Sequence, residues 1–204
     1  MPPMDGRADD AVTIGRWRGV RIDVAPRDAV SAEVAVAIAG VFSYEIGRNK
    51  PGGGLGNLDA ALGGAITRLR ADGIFRAEPG EVLTLSAPAR PIHAATVLAI
   101  GLGNPAAWTP AVMRQAVATA ARETIRLDAE SAAFAPSLLD SGLHPDGLAG
   151  TPEAMLTGLF DALPADRHPA RPGTLSRWLF CVGAARFEAV AEVFRDSFDR
   201  LAVR

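Results

Sequence analysis

The sequence predicts a three-layer α/β sandwich: a mixed, mostly parallel sheet with helices on both faces. Three observations predict it. From Ala95 to Leu127 an apolar strand runs through a glycine turn into a proline-started helix (VLAIGLGNPAAWTPAVMRQ). From Val34 to Leu69 another apolar strand (VAVAIAGVF) meets a glycine-rich turn (RNKPGGGLG) and a periodic helix (NLDAALGGAITRL). After Trp178 the chain closes with a further strand and helix. Parallel strands of this kind bring their turns together at one edge, where such folds usually bind ligands.

Taken in order, residues 1–16 read as a flexible tail, because small, charged and proline residues there bury too little area to offset the entropy of ordering. Residues 17–204 are expected to form a single domain. GVRIDVAP (19–26) alternates apolar with polar residues and is predicted as an outer or half-buried strand. Val34 to Phe42 is apolar throughout and suits a central strand covered on both faces. Beyond it, Leu58, Ala61, Leu62, Ala65, Ile66 and Leu69 recur at three- and four-residue steps, giving one continuous helical face. Asn57 is placed to cap that helix, Asp59 to favour its first turn, Arg68 and Arg70 its last, and Gly73 to close it. EVLTLSA (81–87) is a strand. Thr109-Pro110 and Thr151-Pro152 each read as a cap followed by proline at the first helical position. Residues 131–142 begin as a short strand and become a loop, and Pro164 to Gly173 is an exposed connection. In the last helix Phe187, Val190, Ala191, Phe194, Phe198 and Leu201 share a face. The predicted order is β-β-α-β-β-α-β-α-β-α.

Composition narrows the function classes. With 204 residues, 49% of them hydrophobic, the chain can bury a full core. A net charge of −2 and a pI near 5.9 supply no whole-chain attraction to nucleic acid or an anionic membrane, so neither is expected as a partner. The N-terminal residues lack the apolar stretch of a signal peptide, and no run of about 18 apolar residues is free of charge. Cys181, the one cysteine, lies in the apolar run WLFCVGA and reads as a buried thiol in a reducing compartment. A cytoplasmic location is expected.

The run GNLDAALGGAITRLRADGIFRAEPGEVLTL, followed by VLAIGLG and a helix, resembles the amino-terminal domain of the leucyl aminopeptidase family, peptidase family M17. The matching positions are Gly56, Asn57, Leu58 and Asp59, then Asp72, Gly73, Ile74 and Phe75, then Gly80 and Glu81, and finally Gly101, Leu102 and Gly103. The resemblance covers about residues 20 to 130, and it rests on the order and spacing of these motifs. It implies a fold similar to macro domains, the modules that bind ADP-ribose. It also implies that catalysis belongs to a separate carboxyl-terminal domain carrying two metal ions, for which 204 residues leave no room. Asp128-Ala129-Glu130 matches a fragment of that domain's signature, but its neighbours do not, and it reads as a solvated turn.

No catalytic constellation, metal site or cofactor is expected from the residues themselves. His93, His144 and His168 are far apart, and no serine sits on a strained turn after a strand. Ser43, Tyr44 and Glu45 follow the central strand, either facing a cleft or as ordinary loop residues. The candidate ligand-binding residues are the glycine turns: Gly52, Gly53, Gly54, Gly56 and Asn57 in one, and Gly101, Gly103 and Asn104 in the other. Glycine density of this kind lets backbone amides approach a phosphate. Gly101, Gly103 and Ala106 also satisfy G-x-G-x-x-A after a strand.

Two functions follow. One is a non-catalytic, stand-alone relative of the aminopeptidase amino-terminal domain, acting in assembly or regulation through self-association or a separately encoded catalytic subunit. The alternative is macro-like binding or hydrolysis of ADP-ribose or a related nucleotide. Assembly calls for an exposed apolar patch, to which Trp17, Trp108 and Trp178 are candidate contributors against the commoner role of tryptophan in a core.

Overall fold

The computed structural model describes residues 11–164 and 174–203. Seven strands form one sheet in the order β1-β2-β7-β6-β3-β5-β4, comprising β1 (Val12–Trp17), β2 (Val20–Ala25), β3 (Val36–Phe42), β4 (Val82–Ser86), β5 (Thr96–Gly103), β6 (Ser131–Ala135) and β7 (Arg177–Cys181). The five inner strands are parallel, and β1 and β4 close the two edges in antiparallel pairing. Helices α1 (Gly53–Ala61) and α2 (Ala65–Ala71) cover one face, while α3 (Pro110–Arg126), α4 (Thr151–Ala162) and α5 (Phe187–Ala202) cover the other. The predicted three-layer α/β class is the one observed.

β3 is the central strand expected, buried at every residue between β6 and β5. Its odd-numbered neighbours of the sequence feed one core and its even-numbered ones the other: Ile38 packs under α3–α5, whereas Ala37, Ala39 and Val41 pack with Leu55, Leu58 and Ile66 of α1 and α2. On the last helix, Ala191, Phe194 and Phe198 are buried and Phe187, Val190 and Leu201 pack around them, as the spacing predicts. Burying Phe194 contributes about 2 kcal/mol by area alone.

Three expectations need correction. Residues 12–16 are not tail but most of β1, and the remaining tail residues up to 10 lie outside the described residues. VTIGRW pairs with β2 through a turn at Arg18 and Gly19, so β2 is an inner strand and not the outer one. Its polar Asp23 is buried because Thr13 Oγ1 at 2.8 Å, Arg21 Nε at 3.1 Å and Arg177 Nε at 2.8 Å all donate to its carboxylate.

The continuous helix expected over 57–69 is instead two. Gly63 and Gly64 both take positive φ, 64° and 76°, which breaks the ladder that side-chain periodicity alone had implied. Asp59 serves the second helix, not the first: its carboxylate accepts from the amides of Ile66 (2.9 Å) and Thr67 (3.2 Å) and from the Thr67 hydroxyl. Gly73 does close α2, its amide donating to Arg70 O at 3.0 Å with φ 68°. Pro110 stands at the first position of α3 as expected, whereas α4 starts one residue early, with Gly150 at the cap and Thr151 inside the helix. The connection expected at Pro164 to Gly173 lies, apart from Pro164, outside the described residues.

Candidate functional site

Because β3, β5 and β6 are parallel, the loops that follow them meet at one edge of the sheet. They are stitched together there. Ser43 N–H donates to Gly103 O (2.9 Å), Ile46 N–H to Ser141 O (2.9 Å) and Gly52 N–H to Asp140 O (3.1 Å). Both predicted glycine clusters therefore lie at the expected edge, and the question becomes where their amides point.

In the first cluster the amides meet a carboxylate of the chain itself. α1 begins at Gly53, so Gly53, Gly54, Gly56 and Asn57 lie within its first turns and Asn57 is not its cap. Asp140, from the loop after β6, lies over that start: its Oδ2 accepts from Leu55 N–H at 3.0 Å, and the Gly54 amide also supports it. A Cβ on Gly53 would fall 1.9 Å from Asp140 Oδ1, and Gly53 has φ 50°, so both the approach and the backbone require glycine. Burial raises the Asp140 pKa, with the Leu55 and Gly54 amides and Arg48 opposing and Asp28 adding to the rise. Asp28 itself goes the other way. Burial would raise it, but donors from Ser31, Asn57 and Val30 together hold its carboxyl below the ordinary aspartate value. Asn57 Nδ2 reaches it at 3.2 Å. The positive end of α1, the natural seat of an anion, is thus occupied by Asp140 with Asp28 beside it.

The second cluster is closed by backbone. Gly101 N–H donates to Glu81 O (2.8 Å), Gly101 O accepts from Gly80 N–H (2.9 Å), and Gly103 N–H donates to Ala77 O (2.8 Å). A Cβ on Gly101 would fall 2.0 Å from Glu78 O, and one on Gly103 2.8 Å from Pro79 Cγ. These glycines let the 77–81 segment press against the end of β5. Asn104 is exposed, its Oδ1 accepting from Tyr44 Oη (2.9 Å) and Ala106 N–H (2.8 Å). The helix after this G-x-G-x-x-A run begins only at Pro110.

The neighbouring side chains divide between anchoring and exposure. Glu45 is buried and paired with Arg70 of α2 at 2.8 Å, and Arg70 also donates to Phe42 O at the end of β3, so this pair fastens the loop to the helix layer. Tyr44, Ile46 and Leu139 stand 46%, 41% and 51% exposed on the stitched loops. Of the tryptophans, Trp178 is fully buried and Trp17 stacks on Phe160 with centroids 4.4 Å apart, whereas half-buried Trp108 lies at this edge, meeting Phe42 at the end of β3 edge-on at 6.0 Å. Ile46 and Leu139 are the apolar residues of this edge that the sequence reading did not single out.

Cys181 is buried, and burial first, with Asp28 next, pushes its thiol up to about 12, a core thiol and not a nucleophile. His93 and His144 are exposed, and His168 lies outside the described residues. Among the described residues no group of three or more His, Cys, Asp or Glu is arranged to hold a metal ion, and no helix is long and apolar enough to cross a membrane. Sequence reasoning missed Asp140 and Asp28. Asp140 meets Leu55 across 85 residues, and its only signal was an acidic residue in a loop after a strand at the same edge.

A family model described as the N-terminal domain of the cytosol aminopeptidase family matches residues 40–163. No curated protein matches in sequence. Among solved structures, tomato leucine aminopeptidase superposes with a TM-score of 0.62 at 19% identity, over 85% of this chain and 35% of that one. This chain thus spans about a third of that relative. A mutant macrodomain from Oceanobacillus iheyensis solved with ADPR gives a TM-score of 0.65 at 12% identity, covering 95% of this chain and 100% of its own. A Trypanosoma brucei macrodomain gives 0.59 at 15% identity, over 91% and 67%. At such identities the structural likeness establishes a macrodomain-like fold.

Proposed function

The chain belongs to the cytosol aminopeptidase family, whose N-terminal domain it matches over residues 40–163, and from that premise we propose that it is a non-catalytic module of assembly or regulation. It works in the cytoplasm beside an aminopeptidase catalytic domain. One observation carries the reading: at the edge where this fold would hold a phosphate, the glycine amides are already engaged from within, by Asp140 on α1 and by the 77–81 segment on β5. A phosphate entering there would have to displace a carboxylate from the helix start and would meet the negative field of Asp28. The same edge exposes Tyr44, Ile46 and Leu139 beside Arg48, Asn49 and Lys50. The exposed apolar side chains support contact with protein.

The test pairs calorimetric titration with ADP-ribose and sedimentation velocity over a wide concentration range. The expected result is no saturable heat, together with reversible self-association or association with a family catalytic domain added in trans. A strict monomer that binds ADP-ribose at micromolar concentration would overturn the reading in favour of the alternative, macro-like binding or hydrolysis of the nucleotide.

A further inference from the structure

The sheet face opposite α3–α5 is covered unevenly. α1 and α2 share a core with β3 and β5, but beside β2 and β7 the cover is the irregular segment 26–35, whose Ala29 and Ala32 pack with Ala25, Leu179 and Cys181. A cavity of about 550 Å3 opens there, lined by Arg27, Glu33, His93, Arg177, Leu179 and Ala11. Arg177 begins β7 and His93 precedes β5, toward the amino ends of the parallel strands, whereas Arg27 follows β2 and adjoins Asp28, to which Ser31 of the same lining is hydrogen-bonded at 2.7 Å.

Its charge is distinctive. Asp23 is buried and is held by Arg21 and Arg177 through their Nε atoms. Arg27 then adds a third guanidinium, against Glu33 as the one further carboxylate of the lining. Among the described residues no hydrogen bond or ion pair engages Arg27 or His93. A half-buried guanidinium without a partner gives up hydration and gains nothing in return, unless an anion completes it. Leu179 and Ala11 give the same cavity an apolar part.

We propose that this cavity is a binding site for a small phosphate monoester, its oxyanion held by Arg27 with the field of Arg177 behind it and its organic body lying on Leu179 and Ala11. A phosphate group presents several oxygens to the planar Arg27 guanidinium, whose fork of N–H donors matches it. Nothing in this depends on the carboxyl-edge reading above.

The experiment is calorimetric titration of the chain with AMP, with inorganic phosphate as competitor and benzoate as a monoanionic comparison. Saturable AMP binding that phosphate competes is expected. Arg27→Ala weakens it about tenfold or more, Arg27→Lys weakens it less, and Glu33→Gln strengthens it, while Leu139→Asp at the carboxyl edge leaves it unchanged. Arg27 has no bond to lose within the fold, so circular dichroism of Arg27→Ala should match the parent, and the lysine variant reports on the site even if it does not. Failure of both AMP and phosphate to bind overturns the proposal, as does binding indifferent to Arg27. Benzoate binding as tight as AMP overturns the phosphate assignment.

Discussion

Two aspartates near the start of α1 face opposite electrostatic fates, and pH separates them. Asp28 accepts from Ser31, Val30 and Asn57, so its folded pKa lies below the ordinary aspartate value. The stability it contributes is present above the ordinary value and is lost as pH falls through the folded one. Asp140 has the reverse sign: burial raises its folded pKa, so its favourable contribution is present in acid and is lost as pH rises through that raised value. Asp28→Asn is therefore expected to cost about 1–2 kcal/mol near pH 7, the gap to the parent closing in acid. Asp140→Asn keeps an acceptor for Leu55 N–H without a buried charge. It is expected to be neutral or to stabilise by under about 1 kcal/mol near pH 7, and that advantage disappears in acid. Urea melts of both variants at neutral and acid pH check this, and equal signs at pH 7 would refute it.

At the scale of the element, the helix layer over β3 shows what periodicity reveals and what it hides. Leu58 and Ile66 are buried as their spacing requires, yet the chain between them turns at Gly63 and Gly64, and the buried Asp59 bridges the break. A hydrophobic stripe specifies which residues face the sheet; it does not specify that one ladder of hydrogen bonds connects them. Replacing Asp59 by alanine strands two amides and a hydroxyl at the start of α2, so a loss of about 2 kcal/mol is expected in denaturant melts. An unchanged midpoint would mean that α2 is held by packing alone. The same limit explains β1. VTIGRW has an acceptable strand pattern, but it lies against a polar, proline-bearing N-terminus, and the partner that buries its inner side, α5, is nearly the whole chain away. β3, β5 and the last helix were legible because their signal is local: unbroken apolar runs and a clear three-to-four spacing.

For the molecule as a whole, the position of the glycine turns was legible while their use was not. Parallel strands bring the turns to one edge by topology, but whether an amide faces solvent or an internal acceptor depends on loops that return from far along the chain, as Asp140 does. Edge strands β1 and β4 close the sheet on both sides, and the cores lie under the helices, so the exposed residues of the carboxyl edge bear no evident part of folding. Ile46 and Leu139 are large apolar side chains on two loops joined by Ile46 N–H and Ser141 O, and their substitution separates association from stability. If they form a docking surface, Ile46→Asp together with Leu139→Asp places two charges at its centre and should weaken association by tenfold or more, about 1.4 kcal/mol or greater. The melting midpoint should stay within about 0.5 kcal/mol of the parent, because exposed positions contribute little to folding. Sedimentation velocity and urea melts on the same preparations read both quantities. Association that survives the double substitution would move the assembly surface away from the carboxyl edge, and a large loss of stability would show that these loops hold the fold.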